Sequence, residues 1–268
     1  MDEHYGARYR ELFERHWWWR AREAVILAAL RAHRPAGGWR SSLDVGCGDG
    51  LFFDALAGEG IECVEGVELA ESLVPAASPH REHIHFAPFD SRFDPGRRYD
   101  LLLMLDVLEH LDDPLAALRH AARLLRPDGT LVATVPAFMA LWTAHDRMNH
   151  HVTRFDAPTF AALAENAGFV VVESRYFFRW TALAKLAVRA AERVAPRQPA
   201  PPGIPPAPIN GALRVLSRLE ERLLGRLPLP FGSSLLVVAR APALQRAVAV
   251  PDGVVTPASV LPRASAGN

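Results

Sequence analysis

Residues 42–51 read Ser42-Leu-Asp-Val-Gly-Cys-Gly-Asp-Gly-Leu51, and this stretch decides the fold. A short apolar strand ends in Asp44, glycine then occupies every second position from 46 to 50, and an apolar, helix-permissive run follows. Glycines in a strand-to-helix turn allow positive φ and let a ligand approach the backbone closely. The helix N-terminus offers free N–H groups to a carboxylate or phosphate, whereas Asp44 would accept from an ammonium group. The turn therefore predicts a ligand that carries an amine, a carboxylate and a nucleoside.

The glycine spacing separates two families of nucleotide-binding turns. A dinucleotide fold has Gly-x-Gly-x-x-Gly, and counted from Gly46 its third glycine would fall on Leu51. The spacing found, Asp-x-Gly-x-Gly-x-Gly, resembles motif I of the class I S-adenosylmethionine (SAM) dependent methyltransferases. That resemblance implies an α/β fold with a doubly wound seven-stranded sheet, mostly parallel with an antiparallel last strand. It also implies SAM as cofactor and methyl transfer as the reaction.

Composition excludes several classes of protein. Half of the 268 residues are apolar, enough for one large core or two small ones. The 30 basic residues balance the 30 acidic ones, so nothing in the charge favours a nucleic-acid partner. Two cysteines fit neither a disulfide framework nor a zinc site, which predicts a reducing, cytoplasmic location. No signal peptide and no run of ~18 apolar residues is present, so we expect a soluble or at most membrane-peripheral protein.

The first 34 residues contain a cluster of three tryptophans. Residues 3–34 predict one helix, which ends at the turn formed by residues 35–38. Consecutive helical side chains point about 100° apart, so Trp17, Trp18 and Trp19 cannot all face the same core. We expect at least one of them to face a pocket or a partner. The helix either packs on the core or forms a lid over the cofactor or substrate.

Acidic residues end three predicted strands. Glu68 ends the strand at 61–68 and lies 18 residues past Gly50, close to the ~20 expected of an acid that holds a ribose diol. Asp90 ends a strand at 83–90; the resemblance implies a contact with the adenine, although a plain turn residue is the alternative. Asp106 follows a near-continuous apolar run at residues 99–105, which is typical of a strand covered on both faces.

The stretch after the fourth strand, Asp106-Val-Leu-Glu-His-Leu111, resembles a "vleHl" segment of the same methyltransferase family. The resemblance implies that Asp106 and Val107 line the methionine part of SAM and that His110 fixes the following turn. The predicted cofactor-binding set is Asp44, Gly46, Cys47, Gly48, Gly50, Glu68, Leu69, Asp90, Asp106 and Val107.

The remaining strands and helices continue the alternation. Asp113 is predicted to cap a helix with Pro114 at its first position, and a fifth strand follows at 129–136. A helix at 159–166 precedes a sixth strand at 170–178, and the seventh is expected at 232–240. Alternating strands and helices indicate a doubly wound sheet, in which ligands bind outside the carboxyl ends of the strands.

The segment at residues 136–155 carries the candidate chemistry. Loops after parallel strands position functional side chains, and histidine is the usual acceptor of a hydroxyl proton near neutral pH. His145, His150 and His151 are therefore candidate bases, with Asp146 as an orienting carboxylate. His151 with Phe155 resembles an "H-x-x-x-[FY]" pattern of the family, which implies a structural role for His151. We predict no metal site, because no set of four ligands with recognisable spacing is present.

Over fifty residues separate the last two predicted strands. They predict helices at 180–194 and 212–227, joined by a proline-rich segment at 196–208. One interpretation is a helical hairpin that packs on the sheet or on another copy of the chain, as in a homodimer. The other is a basic and apolar surface, within residues 178–230, that contacts a membrane.

We therefore expect a SAM-dependent methyltransferase that acts on a small-molecule or lipid-linked acceptor. Oxygen is the favoured methyl acceptor atom, with a loop histidine as general base. Two alternatives are a non-catalytic binding or assembly protein with the SAM fold and a nicotinamide-dependent oxidoreductase. The predicted organisation is an N-terminal helical cap (1–38), a SAM-binding core (39–178), a helical and proline-rich insertion (179–231), the last core strand (232–240) and a flexible tail (241–268).

Overall fold

Seven strands form one sheet in the order β3-β2-β1-β4-β5-β7-β6. The structure is a computed structural model that describes residues 9–195, 202–225 and 227–242. The strands are β1 Ser41–Val45, β2 Cys63–Glu68, β3 Ile84–Phe86, β4 Tyr99–Leu105, β5 Leu125–Pro136, β6 Val170–Phe177 and β7 Ser234–Arg240. The first five strands pair in parallel, and β7 runs antiparallel to both β5 and β6. The predicted fold class is confirmed.

Helices cover both faces of this sheet. They are α1 Tyr9–Arg15, α2 Trp17–His33, α3 Phe53–Gly58, α4 Pro114–Leu124, α5 Ala144–Met148, α6 Ala157–Asn166, α7 Arg179–Val194 and α8 Ala207–Leu224. Alternate residues of β4 contribute to the two cores. Leu102 packs with α4 and α6 on one face of the sheet, while Leu101 and Leu103 pack with α2 and α3 on the other. A strand buried on both faces explains the continuous apolar run of its sequence.

The N-terminal helix is interrupted, contrary to the prediction of a single helix over 3–34. His16 has extended backbone angles (φ −76°, ψ 134°), and its side chain accepts a hydrogen bond from the Trp18 N–H. His16 therefore ends α1 and caps α2. Residues 3–8 of the predicted helix lie outside the described residues.

Other element ends differ for local reasons. β3 stops at Phe86 instead of continuing to Asp90; Pro88 has no N–H to donate to a sheet. α8 begins at Ala207, earlier than predicted, with Pro208 in its first turn, where a proline costs no intrahelical hydrogen bond. β5 begins four residues earlier than predicted, at Leu125.

The length and polarity of the helices bear on whether the chain can cross a membrane. Within the described parts of the chain, every helix is too short or too polar to cross a bilayer. The predicted tail lies outside these parts from residue 243 onward.

The cap of α4 offers a test of the local folding argument. Asp113 accepts a hydrogen bond from the Ala116 N–H at 2.9 Å. Asp113→Ala should lower the free energy of unfolding by about 1 kcal/mol, because that helix N–H loses its partner. Urea denaturation measures the change, and Asp112→Ala, at the exposed neighbouring position, is the control. Equal effects of the two substitutions would contradict the capping role.

Candidate active site

A cavity of about 780 Å³ opens at the carboxyl edge of the sheet. It lies between the glycine turn, the N-terminal helices, the strand ends, α5 and α7. The sequence-predicted residues that line it are Asp44, Gly46, Cys47, Gly48, Glu68, Asp106, His145 and His151. The structure therefore brings together residues from the glycine turn, two further strand ends and the loop after β5.

The glycine turn requires glycine at each of its three positions. Gly46, Gly48 and Gly50 have φ values of +68°, +55° and +64°, in the region that side chains disfavour. The turn also fixes Glu68: the Gly48 N–H donates to one carboxylate oxygen at 3.0 Å, and the Ala70 N–H donates to the other at 2.9 Å. Each carboxylate oxygen keeps further acceptor capacity, which suits a ribose diol.

Cys47 packs the turn against the sheet. A Cβ atom on Gly66 of β2 would lie 2.4 Å from the Cys47 sulfur, so only glycine fits there. Burial raises the pKa of the Cys47 thiol well above its ordinary value. Its side chain therefore supports the turn as a neutral group instead of acting as a nucleophile.

Asp44 is a buried acid whose carboxylate is available to accept a hydrogen bond from a ligand. Its side chain is 4% exposed, and burial raises its pKa to about 7, against an opposing effect of Arg22 and with a further rise from Glu68. Among the described residues, none donates a hydrogen bond to its carboxylate. A ligand ammonium group beside it would restore the charged form.

Asp106 is held at the end of β4 by an arginine from the N-terminal helices. Its φ is +59°, a conformation that non-glycine residues adopt mainly where the surroundings enforce it. Arg22 of α2 lies 2.9 Å from the Asp106 carboxylate and donates to the Thr134 hydroxyl at 2.8 Å. Thr134 in turn donates to Asp106 at 3.1 Å. Sequence analysis missed Arg22, since nothing in its local pattern distinguishes it from a surface arginine.

The tryptophan cluster lines the cavity. Trp17, Trp18 and Trp19 all contribute to its wall, which confirms that at least one would face a pocket. Arg10 of α1 ties the segment to the glycine turn, because it donates to the Asp49 carboxylate and to the Asp49 carbonyl oxygen, both at 2.6 Å. The N-terminal helices therefore cover the cavity and also pack on the core.

A histidine–carboxylate pair belongs to the loop after β5, and its histidine lines the cavity. His151 Nδ1 lies 2.9 Å from the Asp146 carboxylate. Arg154 holds the same carboxylate with two hydrogen bonds, from Nε at 2.8 Å and from Nη2 at 2.9 Å. Asp146 is fully buried, and burial is opposed by the hydrogen bond from His151 and the charge of Arg154, with the result that its pKa is held well below its ordinary value. An ionised carboxylate only accepts, so Nδ1 carries the proton and Nε2 is left as the basic nitrogen.

The other predicted histidines are placed differently. His145 lines the cavity, but Asn149 Nδ2 lies 2.9 Å from its Nε2 and burial lowers its pKa to about 4. His150 is exposed, has a φ of +57° and does not line the cavity. Of the three candidate histidines, it is His151 whose ring contacts the Asp146 carboxylate, whereas His145 contacts Asn149.

Glu109 lies near two histidines beneath this wall. It is fully buried, and neither of its carboxylate oxygens has a hydrogen-bond partner among the described residues. Burial and the neighbouring charge of Asp106 raise its pKa well above the ordinary value. One potential ligand atom from each of Glu109, His110 and His151 lies within 4.8 Å of the others, so these three side chains could hold a divalent cation. No sequence spacing reveals this group, since His151 comes from a different loop.

Helix α7 supplies the wall next to the histidines. Lys185, the only lysine of the chain, faces the cavity together with Ala184 and Val188. Burial and, to a smaller extent, the charge of Arg154 lower its pKa to about 8, against the opposing effect of nearby carboxylates. Among the described residues, Lys185 forms no hydrogen bond or ion pair.

Several predicted cofactor residues lie off the cavity wall. Asp90 pairs with Arg92 at 2.5 Å, and Leu69 is exposed. Gly50 and Val107 support the glycine turn from behind: Val107 Cγ2 would lie 3.0 Å from a Cβ atom on Gly46. A role in cofactor binding stays a prediction for all four.

The fold and site define a protein of the class I SAM-dependent methyltransferase type. A family model described as "Methyltransferase domain" matches residues 2–174, more than half of the chain. The chain belongs to this family. Its fold is similar to a SAM-dependent methyltransferase from Archaeoglobus fulgidus, with a TM-score of 0.51 at 19% identity over 81% of this chain and 94% of that chain. It is also similar to the N-methyltransferase NodS from Bradyrhizobium japonicum in complex with S-adenosyl-L-homocysteine, with a TM-score of 0.50 at 17% identity over 87% and 91% of the two chains.

Curated relatives match a shorter part of the chain. A ubiquinone biosynthesis O-methyltransferase from Coxiella burnetii is 37% identical over 95 residues, which are 33% of this chain and 40% of that protein. One of the same description from Bradyrhizobium diazoefficiens is 36% identical over 111 residues, which are 39% of this chain and 43% of that protein. The chain thus spans less than half the length of these relatives.

The raised pKa of Asp44 predicts pH-dependent cofactor binding. Below pH 7 the free carboxyl is mostly protonated, and pairing with the SAM ammonium group requires its ionised form. SAM affinity should therefore rise from about pH 5 to pH 7 and then level, with proton release on binding near pH 6. Titration calorimetry in two buffers of different ionisation enthalpy measures both effects.

Two variants make this test specific. Asp44→Asn should bind SAM weakly and without the pH dependence, while Asp112→Asn, at an exposed site, should behave as the unaltered protein. A pH-independent affinity in the unaltered protein would refute the pairing of Asp44 with the ammonium group.

Proposed function

We propose that this protein transfers a methyl group from SAM to an oxygen atom of a bulky, largely apolar acceptor. The observation that carries the proposal is a single cavity that joins two sets of groups. Asp44, Glu68 and Asp106 suit an amino-acid-bearing nucleoside, and His151, which Asp146 orients, lines the same cavity. A binding protein without catalysis has no need for an oriented histidine in the wall of its ligand cavity.

In this proposal each acidic residue contacts a different part of SAM. Asp44 pairs with the ammonium group of SAM, Glu68 accepts from the ribose hydroxyls, and Asp106 borders the methionine part. Bound SAM supplies an electrophilic methyl group on its sulfonium. The protein places the acceptor oxygen in line with that methyl group, an effect worth roughly 7–11 kcal/mol in well-oriented systems.

His151 takes the proton of the acceptor hydroxyl through Nε2. The Asp146 carboxylate keeps the ring oriented and stabilises the imidazolium that forms, while Arg154 fixes Asp146. The acceptor O–H bond and the S–CH₃ bond would break and an O–CH₃ bond would form, with the electron pair of the S–CH₃ bond left on the sulfur of S-adenosylhomocysteine, the second product. The tryptophans and Phe13 in the cavity wall exclude water from this step.

The acceptor's character follows from the rest of the lining. Phe13, Trp17, Trp180 and Val188 offer apolar and aromatic surface to a large group. The Lys185 ammonium group faces the same space and would stabilise the negative oxygen after its proton leaves. Transfer to oxygen is further supported by the relatives described as O-methyltransferases of ubiquinone biosynthesis.

The whole proposal is tested by incubating the protein with methyl-labelled SAM and an apolar metabolite extract. Mass spectrometry should find a labelled product whose label is an acid-stable methyl ether. Calorimetry with SAM and with NAD separates the alternatives, since a nicotinamide oxidoreductase would bind NAD. Binding of SAM without any labelled product would instead favour the non-catalytic protein.

The base assignment predicts a specific loss of turnover. His151→Ala should lower kcat by about 10²–10⁴-fold, because proton removal then falls to water, and leave SAM affinity nearly unchanged. The rate of product formation measures the first effect and calorimetry the second. His150→Ala removes the exposed neighbouring histidine and should retain normal turnover. Comparable turnover in the two variants would reject His151 as the base.

Lys185 can be examined alone because the chain has no other lysine. Its pKa of about 8 leaves it mainly charged at pH 7, and deprotonation above pH 8 should reduce turnover. Acetic anhydride labels the neutral amine, so labelling of the Lys185 peptide should rise with a midpoint near pH 8. The denatured chain, as control, should show a midpoint near the ordinary ~10.4. A folded-state midpoint near 10 would show that the amine is not shielded as described.

A further inference from the structure

The insertion between β6 and β7 turns its apolar side to solvent. On α8, Leu216, Leu219 and Leu223 form one stripe, and Leu223 is 70% exposed. The opposite side of this helix packs inward: the Asn210 side chain accepts from the Trp17 N–H and donates to the Arg15 carbonyl, both at 2.8 Å. An amphipathic helix on a water-facing surface has the reverse arrangement.

Helix α7 repeats the pattern. Leu183 and Val194 are 62% and 88% exposed. Two of its cationic side chains contact the protein instead: Lys185 faces the cavity, and Arg189 donates to the Met139 and Ala140 carbonyls at 2.8 and 2.6 Å. Both helices thus expose large apolar side chains while several of their polar side chains bind the rest of the protein.

These helices also concentrate the exposed apolar side chains of the molecule. Of 16 large apolar residues exposed in the described parts of the chain, nine lie on α7 and α8, and two more, Leu227 and Phe231, follow α8. Scattered exposed apolar residues need no explanation, whereas a concentration of them marks an interaction surface.

The same segment carries an excess of basic residues. Residues 179–231 contain nine basic and three acidic residues, within a chain whose formal net charge is zero. All three acids are engaged by the protein: Glu192 accepts from the Ala144 N–H at 3.0 Å, Glu220 accepts from the backbone of Arg179 at 2.7 Å, and Glu221 pairs with Arg175 at 2.8 Å. The exposed charged side chains of α7 and α8 are Arg193, Arg218 and Arg222.

We propose that the insertion face, meaning the exposed apolar and arginine side chains of α7 and α8, docks on an anionic lipid bilayer. The apolar stripes enter the acyl boundary, and the arginines meet lipid phosphates. A symmetric dimer through this face would bring two patches of the same positive sign together, which disfavours a second copy as the occupant. The proposal goes beyond the chemistry of methyl transfer and does not depend on it.

The test is co-sedimentation of the full chain with vesicles. Vesicles of phosphatidylcholine in which about 30% of the lipid is phosphatidylglycerol supply the anionic surface. Vesicles of pure phosphatidylcholine are the comparison. Binding should be at least about tenfold stronger to the anionic vesicles and should weaken at high salt, since screening shortens the reach of the arginine charges.

Paired variants locate the contact. Leu219→Glu with Leu223→Glu should abolish sedimentation, and Arg218→Gln with Arg222→Gln should weaken it at least about tenfold. The matched control is Val170→Glu with Val172→Glu, which places the same charges on exposed apolar positions of β6. This control should sediment almost as the unaltered protein does. SAM calorimetry on every variant shows that each is folded and keeps failure here separate from failure of the proposed function.

Three results would overturn the proposal. The first is no sedimentation of the unaltered protein with anionic vesicles. The second is equal sedimentation of the insertion-face variants and the β6 control. The third is a dimer, detected by analytical ultracentrifugation, that the leucine variants dissociate while vesicle binding is absent.

Discussion

Several acidic side chains are buried or half-buried where the strands end. The surrounding structure depends on whether each one is paired with a cation or protonated. A buried carboxylate is costly unless it is paired or protonated. Asp106 meets Arg22 at 2.9 Å, and the fully buried Asp146 meets Arg154 with two hydrogen bonds. Asp44 and Glu109 have no such partner among the described residues, and burial raises the pKa of both. The uncompensated acids therefore identify where the protein itself leaves a partner to be supplied.

The compensating arginines explain why this chain carries more than a minimal core. Arg22 reaches Asp106 from α2, so the N-terminal helices belong to the site electrostatically and not only as a cover. Arg10 adds a second connection, to Asp49 in the glycine turn. Loss of α1 and α2 would leave Asp106 without its cation and open the aromatic wall to water. The N-terminal segment and the sheet edge consequently form one unit.

Local patterns predicted the sheet and the cofactor end of the site, whereas pairings between distant segments were not predictable. The glycine spacing at 46–50 and the acid at Glu68 are visible in the local sequence, and the antiparallel direction of β7 was implied by the resemblance to the methyltransferase family. The partner of Asp146 is different. In the short helix α5, Asp146 sits in the first turn and faces His151, while His145 contacts Asn149 one turn onward. Neighbours in a helix point apart, so adjacency in sequence does not identify which of the three candidate histidines contacts Asp146.

Arg22 and Lys185 were missed for a related reason. Each lies on an amphipathic helix where a charged residue normally faces water, and only the tertiary packing shows that these two face inward. On the same helix as Lys185, Arg189 binds the Met139 carbonyl while Leu183 is exposed. A pattern of apolar and charged residues defines two faces of a helix but does not say which face is buried.

Helix α7 lies between the cavity and the insertion face, and so it connects the two proposals. Lys185 and Val188 face the cavity, while Leu183 lies on the outer surface of the same helix. A helix with its side chains is about 10–12 Å across, so one helix diameter separates the proposed methyl-transfer site from the insertion face. An acceptor held in a bilayer by an apolar tail would need to cross about that distance to enter the cavity. A freely dissolved acceptor gains nothing from this arrangement, and an apolar outer surface would then only lower solubility. The arrangement is therefore most economical if the acceptor is itself lipid-linked, since the docked surface and the cavity then serve one molecule.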